Sequence, residues 1–197
     1  MPRPALIERD DLTDALIGVV VEHGLEAVSI RTVAAAAGVS IGAVQYHFAT
    51  KDDLLLAAYE RAVDQVALRA RDIAAGEPPP RVYVRALLRE LLPLDERREA
   101  ELRVALAFST RSVNSPRLTE LYTEGYRALR EAVTGALREA GTSDDPERDA
   151  VQAIAVADGL AWHLLCAPSA LTTAEAEAAL DAHLDRLLPS LTRRPAG

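Results

Sequence analysis

From Asp11 onward the chain repeats its apolar positions with the helical period: Leu12, then Ala15 and Leu16, then Val19 and Val20. Gly24, after His23, can take positive φ and ends this first segment. Ser29 stands where an N-cap belongs, ahead of Ile30 to Ala37. Gly38-Val39-Ser40 breaks that second helix, and Ser40 caps a short third one reaching to about Phe48. Thr50 and Asp53 cap a long fourth helix through about Ala74. Gly76-Glu77-Pro78-Pro79-Pro80 is the clearest interruption, and further helices are expected at about 81–92, 96–112, 116–140, 146–167 and 174–191. Ser115-Pro116 and Asp145-Pro146 each pair an N-cap with proline at the first helical position, and Thr172-x-x-Glu175 reads as a capping box. No run alternates with period two for long enough to make a strand. The pattern predicts an all-α chain of about nine helices behind a loose arm at residues 1–8.

Composition narrows the function classes. At 197 residues the chain can bury a real core, as one large domain or two small ones. No window has the length and apolarity of a membrane span and no secretory leader opens the chain, so a soluble, cytoplasmic protein is expected. Cys166 is the only cysteine, which leaves no internal disulfide and no cysteine-based metal framework. Lys51 is the only lysine. The net charge is −8, and residues 1–52 hold four basic groups against seven acidic ones. The basic footprint usual in nucleic-acid binders is missing. Any such reading has to rest on a motif.

That motif runs from Ser29 to Lys51. Two short helices joined by Ala37-Gly38-Val39-Ser40 form a helix-turn-helix. Ala37 is small enough for the helices to cross closely, Gly38 takes the turn, and Val39 fills the gap between them. Ile41, Gly42 and Ala43 open the third helix, where small residues let backbone approach DNA and the helix N-terminus attracts phosphate. Gln45 can present an amide to a base edge, and the Ala43 methyl can meet a thymine methyl. Tyr46 and His47, polar aromatics at the helix end, suit phosphate oxygens.

The run SIRTVAAAAGVSIGAVQYHFATK, with Leu54 and the preceding amphipathic helix, resembles the TetR family of one-component bacterial repressors. The match rests on Ser29, Arg31, Ala34, Ala37, Gly38, Val39, Ser40, Gly42, His47, Phe48, Lys51 and Leu54. The tyrosine common in that family falls on Gln45, with Tyr46 beside it. The resemblance implies a DNA-binding domain over residues 1–50 and an effector-binding, dimerising bundle over 51–197. It implies that Arg31, Tyr46, His47 and Lys51 hold the DNA backbone, that Ile41, Ala43 and Gln45 face the bases, and that Ser29, Ser40 and Gly42 complete the surface. The run Ser115-Pro116-Arg117-Leu118, then Tyr122 and Tyr126, and later Asp158-Gly159-Leu160, resembles the BetI subgroup.

Apolar stripes mark the last two helices: Val151, Ile154/Ala155, Asp158, Ala161/Trp162 and Leu165, then Leu180, His183/Leu184, Leu187/Leu188 and Leu191. They exceed what one small bundle needs, and the resemblance implies a homodimer through these helices. Phe108, Tyr126, Asp158 and Trp162 are the candidate effector contacts, with plain core packing the alternative for each aromatic. Asp158, a carboxylate on an apolar face, either meets a cationic or hydroxylated effector or pairs with an arginine such as Arg103. His163 and Cys166 have a spacing able to ligate metal, but two ligands make no site, and no metal is expected. No nucleophile–base elbow, glycine phosphate loop or carboxylate pair is present, so neither catalysis nor a cofactor is expected. The expected function is a repressor that releases operator DNA when a small molecule binds, through a population shift.

Overall fold

The computed structural model describes residues 7–141 and 143–188. Among them are nine α-helices and no strand: α1 (Arg9–His23), α2 (Ile30–Ala36), α3 (Ile41–His47), α4 (Lys51–Ala75), α5 (Pro80–Arg89), α6 (Glu96–Ser112), α7 (Pro116–Ala140), α8 (Pro146–Cys166) and α9 (Thr173–Leu187). A 3-10 turn at Leu25–Ala27, not expected from the pattern, follows Gly24. The caps are where local chemistry puts them. Ser29 Oγ accepts from Thr32 N, Ser40 Oγ from Ala43 N and Asp145 from Arg148 N. Thr50 and Asp53 cap each other, as do Thr172 and Glu175.

Helix ends shift from expectation for identifiable reasons. α1 starts at Arg9 because the Glu8 amide donates to Asp11 Oδ2 at 3.2 Å. α5 stops at Arg89, its last amides tightening into three-residue turns ahead of Pro93. Ala167 and Leu188 leave helical backbone as the residues before Pro168 and Pro189. Residues 1–6 of the expected arm and Leu191 lie outside the described residues.

Packing divides the chain differently from the functional split expected at residue 50. One compact unit comprises Met1–Gln65 and Asp95–Tyr122, the other Val66–Leu94 and Thr123–Gly197. In the first, Leu12, Leu16, Val33, Val44, Phe48, Leu54, Val104 and Phe108 are almost wholly buried. Each large apolar side chain so removed from water contributes about 1.5–3 kcal/mol, so this shared core, not the seven-residue helices' own propensity, holds α2 and α3. In the second, Val84, Leu87, Leu88, Leu137, Ile154, Leu180 and Leu184 form the core. There α5 lies antiparallel to α9. Arg85 pairs with Asp181 and Asp185, Arg89 pairs with Asp181, and Arg81 Nη1 donates to the Leu188 carbonyl at 2.9 Å.

Candidate nucleic-acid interface

The turn between α2 and α3 is built on Gly38, whose φ of 67° lies in the left-handed region. The Val39 amide donates to Ala34 O at 2.9 Å and Gly38 N to Ala35 O at 3.2 Å, which closes α2 as the motif requires. Val33, Ala34, Val44 and Phe48 bury one side of the pair. With Val44 turned in, the other side of α3 is left outside. Ile41 is 45 % exposed and Tyr46 82 %. Gln45 and Gly42 are exposed as well, and Ala43 is half-buried.

The expected contact residues fall into two groups. Arg31, Ile41, Gly42, Gln45, Tyr46 and Lys51 present themselves outward, with Ala43 partly exposed among them. The others do local work: Ser29 and Ser40 spend their hydroxyls on caps. His47 is half-buried, and its Nε2 sits 3.1 Å from the Ile7 carbonyl, tying α3 to the chain entering α1. The Tyr46 ring stands edge-on to His47 at 5.1 Å.

Further ties fix α4 to these helices. Arg61 makes a two-pronged bond to Asp14 at 3.0 and 2.9 Å. Arg9 reaches Glu60 and stands 5.4 Å over the Phe48 ring. At the start of α4, Lys51 and Asp52 are both exposed, Asp53 is folded back into the cap, and Arg111 from the end of α6 ion-pairs with Asp52. Arg111 had no signal in the sequence, because a contact between residues 52 and 111 leaves no local trace.

Of the candidate effector residues, Phe108 belongs to the first unit and Tyr126, Asp158 and Trp162 to the second. Phe108 is fully buried, and its ring stacks on Tyr59 at 3.9 Å, with Tyr122 6.4 Å beyond Tyr59. Burial, reinforced by Tyr122, pushes the Tyr59 phenol up to about 12. Neither tyrosine stands out in sequence except as part of an apolar stripe or a family-like run. Tyr126 is half-buried on α7. On α8 the buried face is Ala150, Ala153, Ile154, Ala157 and Ala161. Of the stripe read from the sequence, Ile154 and Ala161 lie on this face, while Val151, Ala155, Asp158 and Trp162 are exposed, Trp162 by 49 %. Desolvation nonetheless raises the Asp158 carboxyl above its ordinary value. Arg103, one partner weighed for Asp158, is engaged by Glu99 at 2.6 Å. His163 and Cys166 are exposed, and no group of three or more metal-ligating side chains is found among the described residues. His183 is half-buried; desolvation and then Arg186 hold its ring below the ordinary histidine value, against the pull of Asp149.

Comparison with known proteins bears on both ends of the chain. Residues 12–58 match the family described as bacterial regulatory proteins, tetR family, and residues 80–189 match the C-terminal domain of BetI-type transcriptional repressors. A BetI regulator from Rhizobium meliloti is 30 % identical over 162 residues, covering 81 % of this chain and 80 % of its own. The crystal structure of a transcriptional regulator from Rhodococcus sp. Rha1 superposes with a TM-score of 0.79 at 37 % identity, over 91 % of this chain and 95 % of that one. The multidrug binding protein EbrR, solved with imidazole, superposes at 0.66 with 31 % identity, over 96 % and 99 % of the two chains. No helix among the described residues is long and apolar enough to cross a membrane.

Proposed function

The chain belongs to the TetR family of bacterial transcriptional regulators, with a BetI-type C-terminal region, and from that premise we propose that it is a homodimeric repressor which releases its operator on binding a small organic cation. Its family consists of regulators, not enzymes. The observation that carries the DNA-binding part is the outward face of α3 (Ile41, Gly42, Gln45, Tyr46) beside exposed Lys51 and Arg31. Arg31, Tyr46 and Lys51 hold the phosphates, while Ile41, Ala43 and Gln45 meet base edges. With few cations offered, nonspecific affinity is low and salt-sensitive.

Supporting the dimer, α8 exposes Ala155 and Gly159, and α9 exposes Ala178 and Ala182, small residues that let helices from a second subunit approach closely. A two-fold pair of recognition helices about 34–36 Å apart then enters successive major grooves. For the effector, Asp158 and Trp162 lie one turn apart on α8, a carboxylate and an indole suited to a cation. EbrR has been solved with imidazole and with ethidium. Such a ligand, bound better by the DNA-incompatible form, shifts the population by its differential affinity. The protein acts in the cytoplasm, where its operator is.

The test begins by selecting a duplex from a randomised pool with the wild-type protein, then measuring anisotropy at 50 and 200 mM salt. Lys51→Ala should lower the salt slope by about 0.9 per subunit, narrowing its affinity deficit about tenfold over that salt range for a dimer. No enriched sequence, or an unchanged slope, overturns the assignment.

A further inference from the structure

The start of α4 presents an electrostatic conflict. Lys51 is the cation offered to the DNA backbone there, yet the next two residues are Asp52 and Asp53. Asp53 is taken up locally, accepting from Thr50 N at 3.0 Å and from Thr50 Oγ1 at 2.9 Å. Asp52 has no such local use. Its side chain is 66 % exposed, on the residue next to Lys51 and so within about one Debye length, roughly 10 Å, of a phosphate at that helix end. What meets it is Arg111, from the last turn of α6, far from the helix-turn-helix in sequence.

We propose that Arg111 is a positioning residue for operator binding: it cancels the Asp52 carboxylate beside Lys51, so that a segment outside the helix-turn-helix sets the affinity of the DNA-facing surface. This rests on the reading that Lys51 contacts phosphate. The ion pair is too exposed to matter much for folding, since such pairs add little to stability. Its consequence is for a polyanion arriving at that end of α4. An uncancelled unit charge near a phosphate in watery surroundings weakens binding about two- to threefold per half-site, hence about fivefold for a two-fold dimer.

The experiment compares wild type, Arg111→Ala, Asp52→Asn, the double variant and Lys51→Ala on the selected duplex, with thermal unfolding recorded for each. Arg111→Ala should bind about fivefold more weakly at 50 mM salt, with the deficit shrinking at 200 mM as screening sets in. Asp52→Asn, which leaves the Arg111 charge uncancelled, should bind tighter than wild type, and the double variant, with neither charge, should return to the wild-type affinity. A wild-type affinity for Arg111→Ala, or a deficit that Asp52→Asn does not rescue, overturns the proposal. If Lys51→Ala alone leaves affinity unchanged, the phosphate contact fails instead, and the two failures are told apart.

Discussion

Gly42→Ala separates folding from DNA approach, because the two should move in opposite directions. Gly42 is the second residue of α3, exposed, and in ordinary helical backbone. A β-carbon built there meets only Ser40 Oγ, at 3.8 Å, an ordinary van der Waals contact. The free protein therefore gains the helical preference of alanine over glycine, about 0.5–1 kcal/mol. For a chain of this length that is a rise in Tm of about 1–4 °C. The same methyl stands on the surface proposed to lie against DNA, where overpacking costs about 1–3 kcal/mol at each contact. Operator affinity should fall at least about fivefold at each half-site. Circular dichroism at 222 nm follows the first quantity and anisotropy on the selected duplex the second. A higher Tm with unchanged affinity would remove Gly42 from the interface. A lower Tm would refute the account of α3 itself.

Gly38→Ala is the counterpart: no atom lies within 4 Å of the added carbon, so only the left-handed backbone is penalised, by about 1–2 kcal/mol. Unfolding in urea should show that loss, while the fraction still folded keeps its affinity; a loss well above 2 kcal/mol would reveal a steric contact the structure does not contain. For Tyr59 the folded phenol titrates near 12 against an ordinary value of 10. The stability its neutral form contributes is complete below pH 10 and drains away as pH rises toward 12, by at most about 2.7 kcal/mol. Wild type should lose about 2 kcal/mol relative to Tyr59→Phe between pH 9 and 12, and parallel curves would contradict it. Gly159→Arg, whose β-carbon meets no atom of the chain within 4 Å, should convert the sedimenting species from two chains to one; an unchanged mass would move the subunit contact elsewhere.

What the sequence disclosed, and what it hid, follows the range of each interaction. Caps are local, so Ser29, Ser40, Thr50, Asp145 and Thr172 could all be placed by reading three residues ahead. The face of α8 was less legible because Val151, Ala155 and Trp162 are as apolar as Ala150, Ala153 and Ala161. Without a polar side to fix the phase, periodicity alone cannot say which stripe is turned in. The contact between His47 and the Ile7 carbonyl, 40 residues away, left no local trace. The Tyr59–Phe108 stack and the Arg111–Asp52 pair were out of reach for the same reason. Pairing of distant residues is decided by the core that brings them together.

The position of Lys51 has a practical corollary for anyone handling the molecule. Apart from a terminal amine, every primary amine in the chain is this one side chain, exposed at the start of α4. Amine-directed coupling to a sensor chip or resin will tether the protein by the end proposed to meet DNA. Attachment through the exposed Cys166 thiol instead leaves the Lys51 amine unmodified.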